Sequence, residues 1–462
     1  MNRLKPYFGD RAFYKMALTV ALPMMLQNLI TNLVGMLDNI MVGKLGTEQV
    51  SGVSIVNQIL FVYSLAVFGG LSGVGIFTAQ YYGKGDQQGI RYTLRLKALI
   101  GTGIFAVGTA ILLVFQEPLI DLFLHDGSYQ GDLELTMAFA KEYLFVMLFG
   151  LLFFAFTQVF ADTMRQTGDT FTPMLVGFIA VGTNCLLNYL FIFEHPALRL
   201  PGWGVKGAAA ATAISRVAEC LILTCYVYSK KKKFPYIKGA FKSLYIPGGD
   251  IKKMLRKGMP ILFNEILWSC GMTAMSVAYS LHGLDVVAGY SISSTVSNLF
   301  AMAFLSLGSS IGIIAGKHLG AGDGEGAYDA ARKMTVFSLL VSLAVGALMF
   351  FFGGEVTRFY NTSPESIALA KYFIRVCSFA LPLWSVSNAA YFTLRSGGKT
   401  VLTSVFDSGS VWLISVPAAF GLFYLCHLSI YWIYPIVLSL ELIKDVVGVV
   451  LVRKRVWIRT IV

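Results

Sequence analysis

Asp38 is the first carboxylate of the chain that stands within a long apolar stretch. It lies near the far end of residues 23–46, an apolar stretch long enough to form a membrane-spanning helix. At 100° per residue, the polar residues of this stretch fall within roughly 140° of one another: Gln27, Asn28, Thr31, Asn32, Gly35 and Asp38. A carboxylate at bilayer depth costs about 3 kcal/mol on insertion scales, which makes it a functional candidate. The pattern predicts a polar face turned towards partner helices or a water-filled cavity. The alternative is a helix end at the headgroups, with Asp38 in water.

Glu265 is a second acid within an apolar segment, GMPILFNEILW. It stands about seven residues into its predicted helix and hence ~10 Å along it, at 1.5 Å per residue. That depth favours an acid facing a cavity, and a buried structural anchor is the alternative. A carboxylic acid in a low-dielectric interior can carry a proton at neutral pH, or bind Na⁺ when it is ionised. An organic cation could compete for the same charge.

Other polar residues within apolar segments give a weaker signal, because Asn and Gln also hydrogen-bond neighbouring membrane helices. The candidates for lining a cavity are Gln158, Asn184, Asn188, Asn298 and Asn388. Two sets of charged residues have the spacing of pairs within one helix: Arg216 with Glu219, and Glu441 with Lys444 and Asp445. Arg375 has no acidic partner in its own span, and we consider a distant acid such as Glu265 as its partner.

The composition identifies the elements that hold these residues. The chain has 462 residues, of which 56% are hydrophobic and 13% are charged, and its mean hydropathy is +0.67. Soluble domains are nearer 25% charged. We therefore predict an all-α polytopic membrane protein, with twelve spans at residues 14–38, 51–78, 94–115, 138–162, 171–193, 207–229, 258–281, 286–315, 334–353, 367–393, 401–425 and 428–452.

The distribution of Lys and Arg predicts the orientation. Most of these residues fall in alternate loops, on the side of the N-terminus, so topology explains the net charge of +12 better than a nucleic-acid partner does. We expect a multi-pass protein of the plasma membrane with both termini cytoplasmic and no cleaved signal. The predicted domains are an N-terminal six-helix bundle (1–229), a basic cytoplasmic linker (230–257) and a C-terminal six-helix bundle with a short basic tail (258–462).

Several classes of site are disfavoured. The six cysteines lie in apolar segments without CxxC spacing and the five histidines are scattered, so we expect neither a metal site nor a cofactor. No catalytic cluster or sizeable extramembrane domain is visible, so an enzyme is not predicted. The chain also lacks the Walker spacing of an ATP-driven pump.

An internal repeat is the most specific feature of the sequence. At an offset of 237 residues, GIFTAQYYGKGDQQG (75–89) lies over GIIAGKHLGAGDGEG (312–326), and at an offset of 230, RQTGDT (165–170) lies over RSGGKT (395–400). Each half carries six spans, so the repeat is parallel, and two such bundles around a central cavity form the frame of an alternating-access transporter. The first offset aligns Asn28 with Glu265 and Gln27 with Asn264. The Asp of each GxGD turn is expected to cap the next helix.

The chain resembles the multidrug and toxic compound extrusion (MATE) transporters over essentially its whole length. The resemblance rests on LVGMLDNIMVGKLG in span 1, GDQQG after span 2, RQTGDT after span 4 and GMPILFNE opening span 7. It implies export of cationic or amphiphilic compounds in exchange for Na⁺ or H⁺. By position, Asp38 matches the family's first-span acid, and Glu265 matches the span 7 acid of the NorM-like branch. Asn188 and Trp384 replace acids found in some relatives, which leaves the coupling ion open.

These observations together predict a secondary active multidrug efflux antiporter, with Asp38 and Glu265 binding the coupling Na⁺ or H⁺. The expected partners are a small amphiphilic or cationic substrate and the lipid bilayer, and the expected state is a monomer. The substrate cavity is predicted to include Gln27, Asn28, Thr31, Asn32, Gln158, Asn184, Asn188, Asn264 and Arg375. The alternative is a flippase or exporter of a lipid-linked or other endogenous metabolite in the same wider superfamily.

Overall fold

A computed structural model describes residues 7–124, 132–195, 200–360 and 362–462, and this part of the chain is almost wholly helical. The elements of the first half are α1 (Arg11–Gly43), α2 (Thr47–Lys84), α3 (Gln87–Val114), α4 (Gln116–Leu124), α5 (Leu133–Gln166), α6 (Phe171–Ile192), the antiparallel pair β1 (Glu194–His195) and β2 (Leu200–Pro201), and α7 (Gly204–Ser229). Those of the second half are α8 (Gly248–Ser280), α9 (Leu284–Gly320), α10 (Gly324–Phe352), α11 (Pro364–Ser396), α12 (Thr400–Ser410), α13 (Val416–Tyr424), α14 (Ile430–Ser439) and α15 (Glu441–Arg453).

The predicted spans coincide with these helices. Among the described residues, ten helical segments are long and apolar enough to cross a membrane. One of them is Thr400–Tyr424, in which α12 and α13 are joined by a π-helical turn over Val411–Ser415. The first predicted span lies in α1, and the twelfth covers α14 and α15. The all-α, polytopic fold class is therefore confirmed.

The internal repeat is visible in how the helices cross. A Cβ added at Gly52 of α2 would lie 3.0 Å from the backbone of Thr136 and Ala140 on α5. A Cβ added at Gly289 of α9 would lie 3.1 Å from the backbone of Ala370 on α11. Residues 52 and 289 are 237 apart, and residues 140 and 370 are 230 apart. The two sequence offsets thus describe the same helix crossing in each half, and each crossing is close because glycine has no side chain.

The repeated GxGD turn also behaves as predicted in the second half. The Asp323 carboxylate accepts a hydrogen bond from the backbone N–H of Gly326 (2.8 Å), which caps the start of α10. His318 Nδ1 lies 2.8 Å from the other carboxylate oxygen. The hydrogen bond from Gly326, followed by that of His318, holds the pKa of Asp323 below its ordinary value. This motif is a structural turn, as its lack of phosphate-binding spacing indicated.

The chain packs as two compact units. The N-unit comprises Leu26–Gly75 and Gln87–Lys252, and the C-unit comprises the residues up to Met25 together with Ile76–Asp86 and Lys253–Val462. The predicted bundles, 1–229 and 258–462, are defined by the repeat in the sequence. The two units are defined by which residues pack together in the structure. The start of α1 and the end of α2 therefore belong to the C-unit, although they come from the first half of the chain.

The segment after α7 is folded against α3 within the N-unit. Arg95 is 5% exposed, and its guanidinium donates to the carbonyl oxygens of Ala240 (2.5 Å) and Tyr245 (2.6 Å). Lys233 forms an ion pair with Asp169 at 2.5 Å. Partial burial acts to lower the pKa of Lys233, but the hydrogen bond and charge of Asp169, together with Tyr226, outweigh it and the pKa is raised. Much of the basic linker is thus an ordered part of the N-unit.

Candidate functional site

Asp38 lies in a buried polar cluster of the N-unit. The Asn188 amide donates to Asp38 Oδ1 at 2.6 Å, and Asn188 is 1% exposed. Asn184 lies one turn earlier on α6, and so presents its amide on the same face. With that amide oriented so that its nitrogen faces the acid, it reaches both carboxylate oxygens at 3.1 and 3.2 Å, and its oxygen accepts from Thr212 Oγ1 of α7 at 3.2 Å. Three helices therefore converge on one carboxylate.

This cluster is chemically suited to a small cation. Asn188 Oδ1 is buried and accepts no hydrogen bond from the described residues. Carboxylate and amide oxygens are the ligands that hard cations prefer, and the same carboxylate can instead take up a proton. On α7, Arg216 and Glu219 form the predicted ion pair at 3.0 Å, and the Arg216 guanidinium lies 5.1 Å from the ring centre of Phe154.

The other polar residues predicted on α1 have different surroundings. Gln27 ties helices together: its Oε1 accepts from Arg165 at 3.1 Å, and its Nε2 donates to the Pro173 carbonyl at 3.5 Å. Thr31 and Asn32 are exposed and hydrogen-bond to the backbone of their own helix. Asn28 of α1 and Gln158 of α5 are half-buried.

Glu265 lies in the C-unit beside a tyrosine and an arginine of α11. Tyr391 donates its hydroxyl hydrogen to Glu265 Oε1 at 3.1 Å, and Arg395 Nη1 lies 3.5 Å from the same hydroxyl oxygen. Arg395 is 5% exposed, and its guanidinium lies over the ring of Phe392 at 5.3 Å. The cation nearest this site is therefore Arg395. Arg375, considered earlier as a partner of Glu265, has an exposed side chain.

A second charged group adjoins Glu265 through its neighbour in sequence. Asn264 is 1% exposed; its amide donates to Asp407 Oδ2 at 3.0 Å, and its oxygen accepts from Ser408 Oγ at 2.6 Å. Lys444 of α15 lies 2.8 Å from Asp407 Oδ1 and 4.0 Å from Glu441. Lys444 thus contacts Asp407 more closely than its predicted partner within α15. These contacts fasten α8, α12 and α15 together beside Glu265.

The sequence pairs Asp445 with residues of its own helix and gives little signal for several residues around Glu265 and Asp407. Asp445 accepts a hydrogen bond from Ser387 of α11 at 2.6 Å. Asp407 stands in the apolar segment TSVFDSGSVW, so its depth alone was a usable signal. Tyr391 and Arg395 carry no such signal, because only the packing of α11 against α8 brings them to Glu265.

The described residues contain no group of three or more His, Cys, Asp or Glu arranged to hold a metal ion.

These helices and buried polar clusters are those of a polytopic membrane protein, with one acid-centred cluster in each of its two units. The MatE family model matches residues 23–190 and 260–420, which is most of the chain, and this protein belongs to that family.

Individual relatives give the same result. The chain is 29% identical over 411 residues to the probable multidrug resistance protein NorM of Thermotoga maritima, covering 88% of this chain and 85% of that protein. It is 24% identical over 443 residues to multidrug and toxin extrusion protein 1 of Xenopus tropicalis, covering 96% of this chain and 74% of that protein. The NorM-like resemblance is thereby confirmed.

Solved structures share the fold. An outward-facing multidrug resistance MATE family transporter of the MOP superfamily superimposes with a TM-score of 0.85 at 20% identity, covering 98% of this chain and 97% of that chain. A MOP superfamily transporter from Pyrococcus furiosus, whose binding pocket is described as having reverse polarity, superimposes with a TM-score of 0.82 at 21% identity over 98% of this chain and 97% of that chain.

Proposed function

We propose that this protein is a secondary active antiporter that exports cationic or amphiphilic compounds in exchange for Na⁺ or H⁺. The observation that carries the proposal is Asp38, held by two asparagines of α6 within a membrane-spanning unit. Multidrug resistance is the role named for the NorM relatives. Export against a gradient needs a coupled ion when a chain carries no nucleotide-binding motif.

Asp38 is the proposed coupling site of the N-unit. A proton or Na⁺ neutralises its carboxylate, and the amides of Asn184 and Asn188 hold the carboxylate in place in either state. An organic cation satisfies the same charge, so ion and substrate compete for it. Competition of this kind is the simplest way to make binding of one require release of the other.

Glu265 is the proposed coupling site of the C-unit. It sits one residue from Asn264, whose contacts with α12 hold this turn of α8 in place. Tyr391 donates a hydrogen bond to its carboxylate, and Arg395 lies beside the tyrosine hydroxyl. This surrounding set is unlike that of Asp38, so the two acids are expected to differ in which cation they prefer.

The proposed setting is the plasma membrane, with both termini cytoplasmic and the protein acting as a monomer. The positively charged turn at residues 230–233 and the basic residues that follow α15 fit this orientation. The four lysines of the turn are exposed. The orientation is tested with a cysteine placed at Lys231. In sealed vesicles, a thiol reagent that cannot cross the membrane should label this cysteine only when it faces the outside of the vesicle.

The function is tested by efflux from proteoliposomes in which Na⁺ and proton gradients are imposed separately. A fluorescent organic cation serves as the probe. Efflux driven by one gradient is expected for the wild-type protein, with large loss in Asp38→Asn and in Glu265→Gln. Glu117→Gln is the matched control, because Glu117 is an exposed acid outside the spans that pairs with Lys141 at 2.5 Å.

The outcomes separate the two functional classes. Wild-type efflux in both acid variants would refute the coupling assignment. If neither gradient drives efflux and the protein transfers a fluorescent lipid between leaflets, the result would instead support the flippase alternative. Circular dichroism and size-exclusion profiles of each variant exclude loss of folding as the cause.

A further inference from the structure

Helices α2 and α9 cross inside the C-unit at residues related by the sequence repeat. A Cβ added at Gly83 would lie 2.0 Å from the carbonyl oxygen of Lys317, and one added at Gly320 would lie 1.9 Å from the carbonyl oxygen of Gln80. Residues 83 and 320 are 237 apart, and so are residues 80 and 317. Each helix therefore presents its glycine to the backbone of the other, in a local two-fold arrangement that a side chain at either glycine would prevent.

Gln80 sits at this crossing with no exposed surface. Among the described residues, its side-chain amide bonds to backbone atoms of other segments. Its Nε2 donates to the carbonyl oxygens of Ser396 (2.9 Å) and Arg459 (3.2 Å), and its Oε1 accepts from the backbone N–H of Ile461 (2.8 Å). The glutamine thus joins the end of α2 to the end of α11 and to the segment that follows α15.

That segment, residues 455–461, is seated by its own contacts. Trp457 is fully buried, and its carbonyl oxygen occupies the space of a Cβ at Gly397 (1.6 Å). Thr460 Oγ1 donates to the carbonyl oxygen of Leu319 at 2.7 Å, near the end of α9. The segment therefore contacts the ends of α2, α9 and α11 together.

The outer end of the segment is held more weakly. Arg455 pairs with Glu325 of α10, and Arg455 Nη2 lies 3.1 Å from Glu325 Oε2. The two side chains are 44% and 77% exposed. Exposed ion pairs contribute little to stability and are screened by salt. The segment is thus tight around Gln80 and loose at its solvent edge.

We infer that residues 455–461 form a latch that fastens the end of α2 to the C-unit and releases it during each transport cycle. Helix α2 runs without a break from the N-unit, where residues 47–75 belong, into the C-unit, where residues 76–84 belong. Any transport cycle in which the units move must therefore strain α2 or free its end. If that end is freed while the segment stays, the Gln80 amide remains buried without hydrogen-bond partners, which is costly. If the segment leaves as well, water reaches the amide and replaces those partners.

The inference rests on the proposed transport cycle and on the proposed orientation, which puts this crossing at the cytoplasmic side. It assigns to residues 455–461 a part in controlling access from that side. The Gln80 hydrogen bonds set how readily the latch opens, and Gln80 acts on transport only through the segment it holds. Gln80 is thus a positioning residue.

Hydrogen–deuterium exchange on the full chain in nanodiscs tests the latch. Gln80→Leu, and a chain ended after Lys454, should raise amide exchange several-fold in residues 76–86 and 316–323, with exchange in α5 unchanged. Gln88→Leu is the matched control, because Gln88 accepts a hydrogen bond from Arg91 on its own helix. Gln80→Glu should raise exchange at least as much as Gln80→Leu, because a buried carboxylate there would face the carbonyl oxygens of Ser396 and Arg459.

Two outcomes of the exchange experiment would overturn the inference. Unchanged exchange in residues 76–86 of both variants would mean that the segment holds nothing in place. An equal rise of amide exchange in α5 would mean that the segment stabilises the whole protein and not the end of α2 in particular. Hydrogen–deuterium exchange does not require transport, so it reports on the latch even if the wild-type protein shows no efflux. Absence of efflux would refute the proposed function and leave the latch to be judged by exchange.

A reversible cross-link tests whether the crossing opens in the cycle. A Cβ at Gly316 would lie 3.0 Å from the Cβ of Ala79. This is about half an ångström closer than the Cβ atoms of a disulfide, which are roughly 3.5–4.5 Å apart, so a small shift of the two helices allows the bond. Ala79→Cys with Gly316→Cys, in a chain whose six native cysteines are replaced, should lose efflux on oxidation and regain it on reduction. Each single variant should be insensitive to oxidant. Full efflux in the oxidised double variant would show that the crossing stays closed and would contradict release.

Discussion

Lys97 shows what a buried charge requires of its neighbours in this protein. Its side chain is fully buried in the N-unit, where its ammonium lies 2.6 Å from Asp162 Oδ2 and 3.3 Å from Thr163 Oγ1. Replacing one partner of a buried ion pair leaves the other charge uncompensated, at a cost of about 3–5 kcal/mol. The pair is therefore expected to support folding rather than transport.

We predict that Lys97→Met lowers the free energy of unfolding by that amount. Reversible denaturation in mixed micelles measures it, with the melting midpoint as a second readout. The double variant Lys97→Met with Asp162→Leu should recover most of the loss, because it removes both charges together. A single variant as stable as the wild-type protein would show that water already reaches the pair.

For individual residues, the sequence locates the two acids but only some of the side chains that surround them. The sequence indicates Asp38 and Glu265 because a carboxylate in an apolar helix is expensive, and it indicates Asn184 and Asn188 only as polar residues within an apolar segment. Arg395 was seen only as part of a repeated loop motif. Its approach to Tyr391 depends on where the end of α11 meets α8, and no local pattern encodes that meeting.

Gly289 shows that a close crossing of two helices depends on the absence of a side chain. A Cβ there would lie 2.9 Å from the Cβ of Leu369 and 3.1 Å from the backbone of Ala370. Gly289→Ala should destabilise the protein by about 1–3 kcal/mol, because neither backbone can yield without shifting a helix.

The control for this prediction is Gly103→Ala in α3, where a Cβ would meet nothing within 4 Å. That variant should gain up to about 1 kcal/mol from helix propensity. Opposite signs in the melting midpoints of the two variants are expected. A stable Gly289→Ala would mean that α9 and α11 have room to move apart.

Hydropathy was sufficient to place the spans, because length and apolar content fix where a helix can cross a bilayer. It could not anticipate the break of the eleventh span into α12 and α13. The π turn over Val411–Ser415 lies in a continuous apolar run, and a Cβ at Gly271 of α8 would lie 2.6 Å from Val411. The irregular turn thus begins where α8 packs against it, and hydropathy does not report such a tertiary contact.

At the scale of the whole molecule, the repeat predicted two halves, whereas packing divides the chain differently. Ala17 and Ala21 of α1 are fully buried in the same apolar cluster as Leu307 of α9 and Trp457. The repeat could not reveal this exchange, because it relates each helix to its counterpart and says nothing of contacts between halves. The C-unit therefore needs two segments supplied by the first half.

This exchange predicts how the protein responds to a cut between its halves. Lysines 230–233 are exposed in a turn, so limited trypsin treatment should cleave there first. The two fragments should remain together on size-exclusion chromatography in mild detergent, because residues up to Met25 and Ile76–Asp86 stay packed in the C-unit. Denaturing electrophoresis should separate them. A chain with the four lysines replaced by glutamine should resist this cut. Dissociation of the nicked protein without denaturant would show that those segments contribute too little to hold the halves together.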